Sequence, residues 1–519
     1  MLQETTNCLR DSGSDFSQGT VTTMETDIKW LWKMTETEAF YETYTISYEL
    51  TIATREPLLE EHLILTLTHL FRKLPLLRVC YGQRDAEKWF REMKEMILDF
   101  EVVSDTTKQE VHKRLQSYRY DLEKGPLWCV KLLSEPPSSP EIPTGVDMKQ
   151  FCHVYTLFLG LQHGITDGTS NMKICGFLVQ ILDAVMGRKA INNVEQLGVF
   201  ISDEKTHQVK KEKMASMETD AELRRRVVEE IQSRYGRYSL VKSTYKGAGE
   251  KVPRTEVLER TLDTDSTMAF IKRCRSEGVT VNSAFTALCC MATVDLLADG
   301  GLDQDMYDIR NEHVLNARRY WDGDTSQFLG CHILPLMSVD AKVPRNTNGK
   351  FWDFARSVHQ ELLKKVNEGA PLLVEAAKHF MPANPDFDPT FEYEFCVSNL
   401  GNVTGLVTEG GDHVQALHVI RTVALHAVPC TWSLLVHTFR GQLILALICN
   451  MSTVNSQMAK KFCDGIFDRL KEVYITDTRN FHKYETGKET HVERNINFYL
   501  HIQLWVLQFV LSDLLTTSS

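Results

Sequence analysis

The chain has 519 residues, of which 43% are hydrophobic and 24% charged, and its formal net charge is −11. This balance excludes a largely disordered protein, and the length allows two or three domain-sized cores. The negative charge argues against a nucleic-acid-binding protein that relies on overall positive potential.

The cysteines give a further indication of the compartment and of metal binding. There are 13 of them, without an evenly spaced framework and without a C-x-x-C pair. Such a pattern fits a reducing compartment better than a secreted disulfide scaffold, and it offers no cysteine zinc site. We therefore expect a cytoplasmic protein without a bound metal.

The first part of the chain reads as a leader followed by alternating strands and helices. Residues 1–26 are polar and lack an apolar signal-peptide core, so we expect a mobile leader. The β-rich alternation over 44–52 predicts a strand, and leucines at helical spacing over 59–70 predict a helix.

The most informative stretch is His-Gly-Ile-Thr-Asp-Gly, from His163 to Gly168. The apolar run 154–161 before it predicts a buried strand, although its periodicity alone also permits a helix. The spacing over 169–187 predicts a helix, with Thr169 or Ser170 as its N-cap. His163 and Asp167 would then lie on a tight connection between rigid elements, where catalytic side chains are often presented.

Each residue type in this connection suits a chemical task. A neutral imidazole, with a pKa of about 6.5, can take a proton from an alcohol or an amine. Asp167 would fix the loop or orient a partner, while Gly164 and Gly168 would permit backbone angles that a Cβ resists. The alternative is that His163 is an ordinary core or surface histidine, one of 17 in the chain.

This stretch resembles the H-H-x-x-x-D-G motif of the CoA-dependent acyltransferase superfamily. The superfamily includes chloramphenicol acetyltransferase, carnitine acyltransferases, plant BAHD enzymes, alcohol acetyltransferases and peptide-synthetase condensation domains. Gln162 stands where many members have the first His, and His163 occupies the position of the second, which is the base. The resemblance implies an α/β fold with two chloramphenicol acetyltransferase-like subdomains, each a mixed sheet flanked by helices, and a tunnel at their interface. We expect these subdomains at 27–236 and 237–475.

The segment 203–237 joins the two expected subdomains. It is rich in charged residues and has few apolar anchors. Arg224, Arg225 and Arg226 are followed by Glu229 and Glu230, so opposite charges lie at helical spacing. We expect an exposed, self-paired helix or crossover.

The second subdomain contains several weaker matches in the same order as in the alcohol acetyltransferases, the group that the chain most resembles. The sequence Gly-Val-Thr-Val-Asn, beginning at Gly278, predicts a short β segment and then a buried helix. Residues 313–320 resemble the family's N-x-R strand, which would contain Arg318. The remaining predicted elements are a strand over 256–262, a helix over 265–277, a hairpin over 431–450 and a closing helix over 455–473.

The second candidate site segment is Phe395–Asn402, which contains Ser398 and Asn399. Its residue types are common where a strand ends in a turn, and that is the alternative interpretation. It resembles the SNLG segment of the alcohol acetyltransferases. The resemblance implies that Ser398 and Asn399, with neighbouring backbone N–H groups, stabilise the reaction's oxyanion.

Together these resemblances imply direct acyl transfer, with no acyl-enzyme and no bound cofactor. Acyl-CoA, most simply acetyl-CoA, would be the co-substrate and an alcohol the acceptor, with His163 as base. Asp167 would be structural and would pair with Arg318. We expect a monomer. Two alternatives remain: an amide-forming, condensation-type enzyme with an amine acceptor, and a non-catalytic binding protein.

The C-terminal stretch 476–519 lies outside the resemblance. We expect a linker and an apolar tail, because 496–512 has no formal charge and holds many aromatic and aliphatic residues. It is shorter than the ~20 apolar residues of a spanning helix, and polar residues interrupt it. Three interpretations stay open: a helix docked on the domain, a membrane contact or anchor, and a disordered end.

Overall fold

The computed structural model describes residues 28–135, 142–143, 145–347, 349–381, 391–425 and 430–475. The expected leader, residues 1–26, and the expected linker and tail, residues 476–519, lie outside the described residues, as does the apolar segment 496–512.

The strands come first, in chain order. They are β1 (Trp30–Lys33), β2 (Thr45–Thr54), β3 (Val79–Arg84), β4 (Glu87–Glu92), β5 (Phe100–Val103), β6 (Trp128–Leu133), β7 (His153–Gln162), β8 (Val199–Phe200), β9 (Thr255–Leu262), β10 (Met306–His313), β11 (Phe328–Leu329), β12 (Met337–Pro344), β13 (Phe395–Asn402), β14 (Val414–Val423), β15 (Trp432–Phe439) and β16 (Gln442–Asn450).

The helices flank these strands. They are α1 (Glu36–Tyr41), α2 (Glu60–Lys73), α3 (Lys108–Gln116), α4 (Gly168–Met186), α5 (Glu204–Thr219), α6 (Ala221–Gln232), α7 (Leu240–Thr244), α8 (Thr264–Ser276), α9 (Val281–Asp299), α10 (Phe351–Glu368), α11 (Ala370–Ala377) and α12 (Ser456–Ile475). Short 3-10 turns lie at Pro75–Arg78, His163–Ile165, Ala317–Tyr320 and Lys378–Phe380.

Two large mixed sheets carry the fold. The first has five strands in the order β14-β2-β7-β6-β5, and the second has six in the order β12-β10-β13-β15-β16-β9. Both contain parallel and antiparallel pairs, such as parallel β5–β6 and antiparallel β6–β7. Two smaller sheets pair β1-β4-β3 and β11-β8. The predicted fold class, α/β with mixed sheets flanked by helices, is confirmed.

Strand β14 connects the two halves of the chain. It belongs to the second half in sequence, yet it pairs antiparallel with β2 from Val414 opposite Thr54 to Val423 opposite Ile46. The first sheet therefore contains strands from both sides of the predicted division at residue 236. Among the described strands of the second half, β14 alone belongs to the first sheet.

Two hydrophobic cores meet along β16. Alternate residues of this strand, from Leu443 to Cys449, pack into a core with α9, α10 and α12. The residues between them, from Ile444 to Ile448, pack into the other core, which contains α2 and α4. Because successive side chains of a strand point to opposite faces, one strand serves both cores.

Helix α9 lies at the centre of the second core. Its residues are buried on nearly every side, which agrees with the predicted buried helix. Among the described helices, α9 alone is long and apolar enough to span a membrane, and most of it is buried within the protein.

Two predicted segments have a different local structure. No β segment precedes α9: Thr280 is instead its N-cap, and the Thr280 hydroxyl accepts from the Ser283 N–H at 3.1 Å. Arg318 lies in a 3-10 turn and not in a strand, because the Asn316 side chain accepts from the Arg318 N–H at 3.0 Å and begins the turn. In both places a polar side chain caps a helical turn.

The charged connection forms α5 and α6. The predicted self-pairing is present, since Arg225 bonds Glu222 at 2.7 Å and Glu229 at 2.9 Å. The connection is less exposed than predicted, because a few apolar side chains pack against α11. These buried side chains are Met217, Val227 and Ile231.

Candidate active site

His163 lies directly after β7, in the first turn of the connection to α4. Its side chain is buried, with the residue only 7% exposed, and its Nδ1 lies 2.7 Å from the Thr166 carbonyl oxygen. A carbonyl can only accept, so Nδ1 carries the proton and Nε2 keeps its lone pair. Burial lowers the pKa of His163 below 6.5, against the opposing effects of the Thr166 carbonyl and the Asp167 charge. At neutral pH the ring is therefore an uncharged imidazole with a basic Nε2.

Aromatic and backbone groups hold this ring. The Tyr41 ring of α1 packs against the imidazole with 4.7 Å between centroids. The His163 N–H donates to the Tyr44 carbonyl at 2.8 Å. The turn is thereby fixed from the side of α1 as well as by β7.

The glycines of the motif provide space and not unusual backbone angles. A Cβ on Gly164 would lie 2.8 Å from the Glu38 carbonyl oxygen and 2.9 Å from the Tyr81 hydroxyl. A Cβ on Gly168 would lie 3.1 Å from the Leu400 side chain. Neither glycine has a positive φ. The prediction that these positions need special backbone angles is wrong. Close packing is what constrains them, and it is tighter at Gly164, which faces a backbone oxygen, than at Gly168, which faces a side chain.

Asp167 is the N-cap of α4, so the predicted cap at Thr169 or Ser170 is wrong. Its Oδ1 accepts from the Ser170 N–H at 2.8 Å, while its Oδ2 accepts from Arg318 Nη1 at 2.7 Å and from the His332 N–H at 3.0 Å. Burial raises the pKa of Asp167, but the Arg318 charge and these N–H groups outweigh it and lower the pKa to about 2. The carboxylate is thus ionised, and both of its oxygens are hydrogen-bonded within the protein. The pairing with Arg318 that the resemblance implied is present.

Gln162, the residue before His163, is hydrogen-bonded at both ends of its amide. Its Oε1 accepts from the Tyr81 hydroxyl at 2.7 Å, and its Nε2 donates to the Glu42 carbonyl. The side chain is buried and joins β7 to β3 and to the end of α1. The amide therefore serves the packing around His163.

Ser398 and Asn399 lie on β13, which runs parallel to β15. The Asn399 amide donates to Asn282 Oδ1 at 3.2 Å and its Oδ1 accepts from the Gly401 N–H at 2.8 Å. The Ser398 hydroxyl accepts from Arg421 Nη1 at 3.0 Å. Since that hydroxyl is an acceptor in this bond, its own proton stays available for another acceptor.

A cavity of about 550 Å³ brings these side chains together. This volume lies within the ~300–1,000 Å³ range of small-molecule sites. The sequence-predicted residues His163, Asp167, Gly168, Ser398 and Asn399 line it, whereas Gly164 and Arg318 lie behind it. Much of the remaining wall is aromatic or aliphatic, including Phe40, Tyr41, Tyr44, Ile46, Leu315, Leu400, Val423 and Leu435.

Several polar residues of the cavity wall were not predicted from the sequence, among them four that carry or can carry a charge close to the elements already described. Arg421 reaches it from β14, and Asp203, His207 and Lys210 reach it from the charged connection. For Arg421 a signal was present, because it is a single charge in the otherwise apolar run Val-Ile-Arg-Thr-Val of a strand. For the other three no local signal separates them from the exposed charges around them.

No protein-family model and no curated protein matches the chain. Solved structures do match it. The trichothecene 15-O-acetyltransferase TRI3 from Fusarium sporotrichioides has a TM-score of 0.58 at 12% identity, over 86% of this chain and 95% of that one. Polyketide synthase associated protein 5 from Mycobacterium tuberculosis has a TM-score of 0.59 at 13% identity, over 86% and 99%.

A condensation domain shows the same similarity. The first condensation domain of the calcium-dependent antibiotic synthetase has a TM-score of 0.59 at 10% identity, over 86% of this chain and 97% of that one. At such identities the likeness shows the fold alone. The chain therefore has the two-subdomain, chloramphenicol acetyltransferase-like fold of condensation domains and of an acetyltransferase.

Proposed function

We propose that this protein transfers an acyl group, most simply acetyl, from a CoA thioester to the hydroxyl of an alcohol. The observation that supports this proposal is the state of His163: a buried, uncharged imidazole with a basic Nε2 at the wall of a cavity shared by both halves. The acyltransferase-type fold agrees with it. The mostly apolar cavity wall favours a small or lipophilic alcohol.

The proposed reaction is a direct transfer. His163 Nε2 removes the proton of the acceptor hydroxyl as its oxygen bonds to the thioester carbonyl carbon. The resulting tetrahedral intermediate carries an oxyanion, and in this proposal Ser398, which lines the same cavity, donates to it. The C–S bond then breaks, and the leaving CoA thiolate takes the proton from His163. Binding both substrates together replaces a bimolecular encounter, so no acyl-enzyme is required.

Asp167 and Arg318 act in this proposal by holding the turn. Three donors of the protein engage the Asp167 carboxylate, one at Oδ1 and two at Oδ2. Because it caps α4 and also bonds the His332 backbone, it fixes the end of the connection that begins with His163. Its contribution to activity is therefore the position of the imidazole.

The test is His163→Ala, assayed by thiol release from acetyl-CoA with a panel of alcohols and amines. A lost general base lowers kcat by about 10²–10⁴-fold, and we expect the KM for acetyl-CoA to change little. His62→Ala is the matched control, because His62 lies on α2 and does not line the cavity.

Each other outcome has a definite meaning. Near-parental activity of His163→Ala would remove the base assignment. Wild-type turnover with amines but not with alcohols would replace the proposal with an amide-forming enzyme. No thiol release by the wild type with any acceptor would favour a non-catalytic binding protein.

A further inference from the structure

Arg421 joins two neighbouring strands at the cavity wall. Its Nη2 donates to the carbonyl oxygen of Ser398 on β13 and, at 2.9 Å, to that of Val436 on β15. The regular pairing of these strands is interrupted immediately afterwards, between Asn399 and Asn402. The guanidinium thus bonds the backbone of both strands just before their register shifts, and it fixes the Ser398 backbone at the cavity.

The same guanidinium is a buried positive charge without a matching carboxylate. Arg421 is only 2% exposed, and among the described residues no Asp or Glu lies within ion-pair distance of it. Burial lowers the pKa of Arg421 to about 10, so it remains charged at neutral pH. An unpaired buried cation is costly. A charge kept in such a place would be stabilised by an anion that arises in the cavity.

In the hydrogen bond between Arg421 and the Ser398 side chain, Arg421 is the donor. Arg421 Nη1 donates to Ser398 Oγ at 3.0 Å, and a guanidinium can only donate. The Ser398 proton must therefore point elsewhere, and a hydroxyl that accepts from a cation is itself a stronger donor. Arg421 Nη1 also lies 3.6 Å from the position of a Cβ on Gly168, so the charge stands close to the start of α4.

We infer that Arg421 is a positioning residue for oxyanion stabilisation. It holds Ser398 so that the hydroxyl donates into the cavity, and its positive charge stabilises the negative charge that develops there. This inference rests on the proposed acyl transfer. The oxyanion forms when the acceptor oxygen bonds to the carbonyl carbon and the C=O π electrons move to oxygen. It disappears when the C–S bond breaks. Arg421 keeps all its protons throughout.

The test combines Arg421→Met, Ser398→Ala and the double variant, with acetyl-CoA and 1-octanol as probes. Removing one oxyanion donor costs about 10²–10³-fold in kcat. We expect each single variant to lose that much with little change in KM. Because both residues act on the same charge, we expect the double variant to lose little more than either single one. Arg421→Lys, which keeps the charge, should recover part of kcat.

Arg440→Met is the matched control. Arg440 also bonds backbone carbonyls, those of Glu409 at 2.8 Å and Ala416 at 3.0 Å, but it does not line the cavity. We expect it to change stability and not kcat. If Arg421→Met does not fold, Arg421→Lys and Ser398→Ala carry the test. For these variants we compare the affinities for two analogues of acetyl-CoA, a trifluoromethyl ketone and the plain ketone. The hydrate of the trifluoromethyl ketone mimics the tetrahedral intermediate.

The following results would overturn the inference. If the fold-loss of kcat in the double variant equals the product of the two single losses, the two residues act separately. An increase in KM for 8-hydroxyoctanoate, with none for 1-octanol, would make Arg421 a binding residue for an acceptor carboxylate. If the variants keep the wild-type ratio of affinities for the trifluoromethyl ketone and the plain ketone, Arg421 and Ser398 do not stabilise the oxyanion. If His163→Ala loses activity while Ser398→Ala and Arg421→Met keep theirs, only this inference fails. An unaffected His163→Ala ends both proposals.

Discussion

Replacing Asp167 by Asn tests whether the buried ion pair with Arg318 holds the catalytic turn. The two side chains are 4% and 5% exposed, and their charged atoms are 2.7 Å apart. The substitution keeps the size of the side chain and removes its charge, so Arg318 becomes an unpaired buried cation. Removing one partner of such a pair costs about 3–5 kcal/mol. The pKa of Asp167 points in the same direction, because the Arg318 charge and the hydrogen bonds lower it to about 2 in spite of burial.

The assay is urea unfolding followed by tryptophan fluorescence, for Asp167→Asn, Arg318→Met and the double variant. We expect the double variant to be more stable than the sum of the single losses predicts, because it leaves no unpaired charge. The exposed pair between Lys342 and Asp308 is the control, with side chains 75% and 61% exposed. Asp308→Asn should cost less than about 1 kcal/mol.

The pH dependence gives a second check on the same pair. Because the folded pKa of Asp167 is lower than 3.8, its stabilisation is complete above about pH 4 and is lost as the pH falls towards 2. The difference in unfolding free energy between wild type and Asp167→Asn should therefore be constant near neutrality and shrink in that acidic window. A loss below about 1 kcal/mol at pH 7, or simple additivity in the double variant, would refute the reasoning.

Two further predictions concern the turn itself. In a pH–rate profile, the logarithm of kcat/KM should fall on the acidic side as His163 becomes protonated. Its midpoint should lie below pH 6.5, because burial lowers the pKa of His163, and a midpoint above 6.5 would contradict this. Gly164→Ala should destabilise the protein by about 1–3 kcal/mol in denaturant unfolding and reduce turnover, since its Cβ would meet the Glu38 carbonyl and the Tyr81 hydroxyl. Gly405→Ala is its control, because no atom lies within 4 Å of that Cβ; equal effects of the two variants would contradict the steric explanation.

Local sequence patterns were sufficient for the elements around His163. The apolar run and the helical spacing on either side of the motif correspond to β7 and α4, and the hairpin of β15 and β16 was predicted as well. These patterns succeed because the side-chain periodicity of a strand or helix depends on neighbours within a few residues. They also placed the candidate base on the connection between two rigid elements.

The choice of cap at α4 needed the tertiary structure. Asp167, Thr169 and Ser170 are all good capping residues, and nothing local decides between them. The decision comes from Arg318 and the His332 backbone, which lie more than 150 residues away in the chain and both bond the Asp167 carboxylate. The same limit explains Gly164, whose need for space arises from the Glu38 backbone and Tyr81.

The composition of the cavity was decided by the fold as a whole. Arg421 reaches Ser398 only because β14, a strand of the second half, pairs with β2 of the first half. In this pairing the hydroxyls of Ser47 and Thr422, 375 residues apart in the chain, lie 2.7 Å from each other. By itself the sequence determined many of the strands and helices, including those on either side of His163, and where an imidazole is presented. Which charges surround that imidazole depended on contacts between distant segments, because burial and electrostatic pairing are properties of the assembled structure.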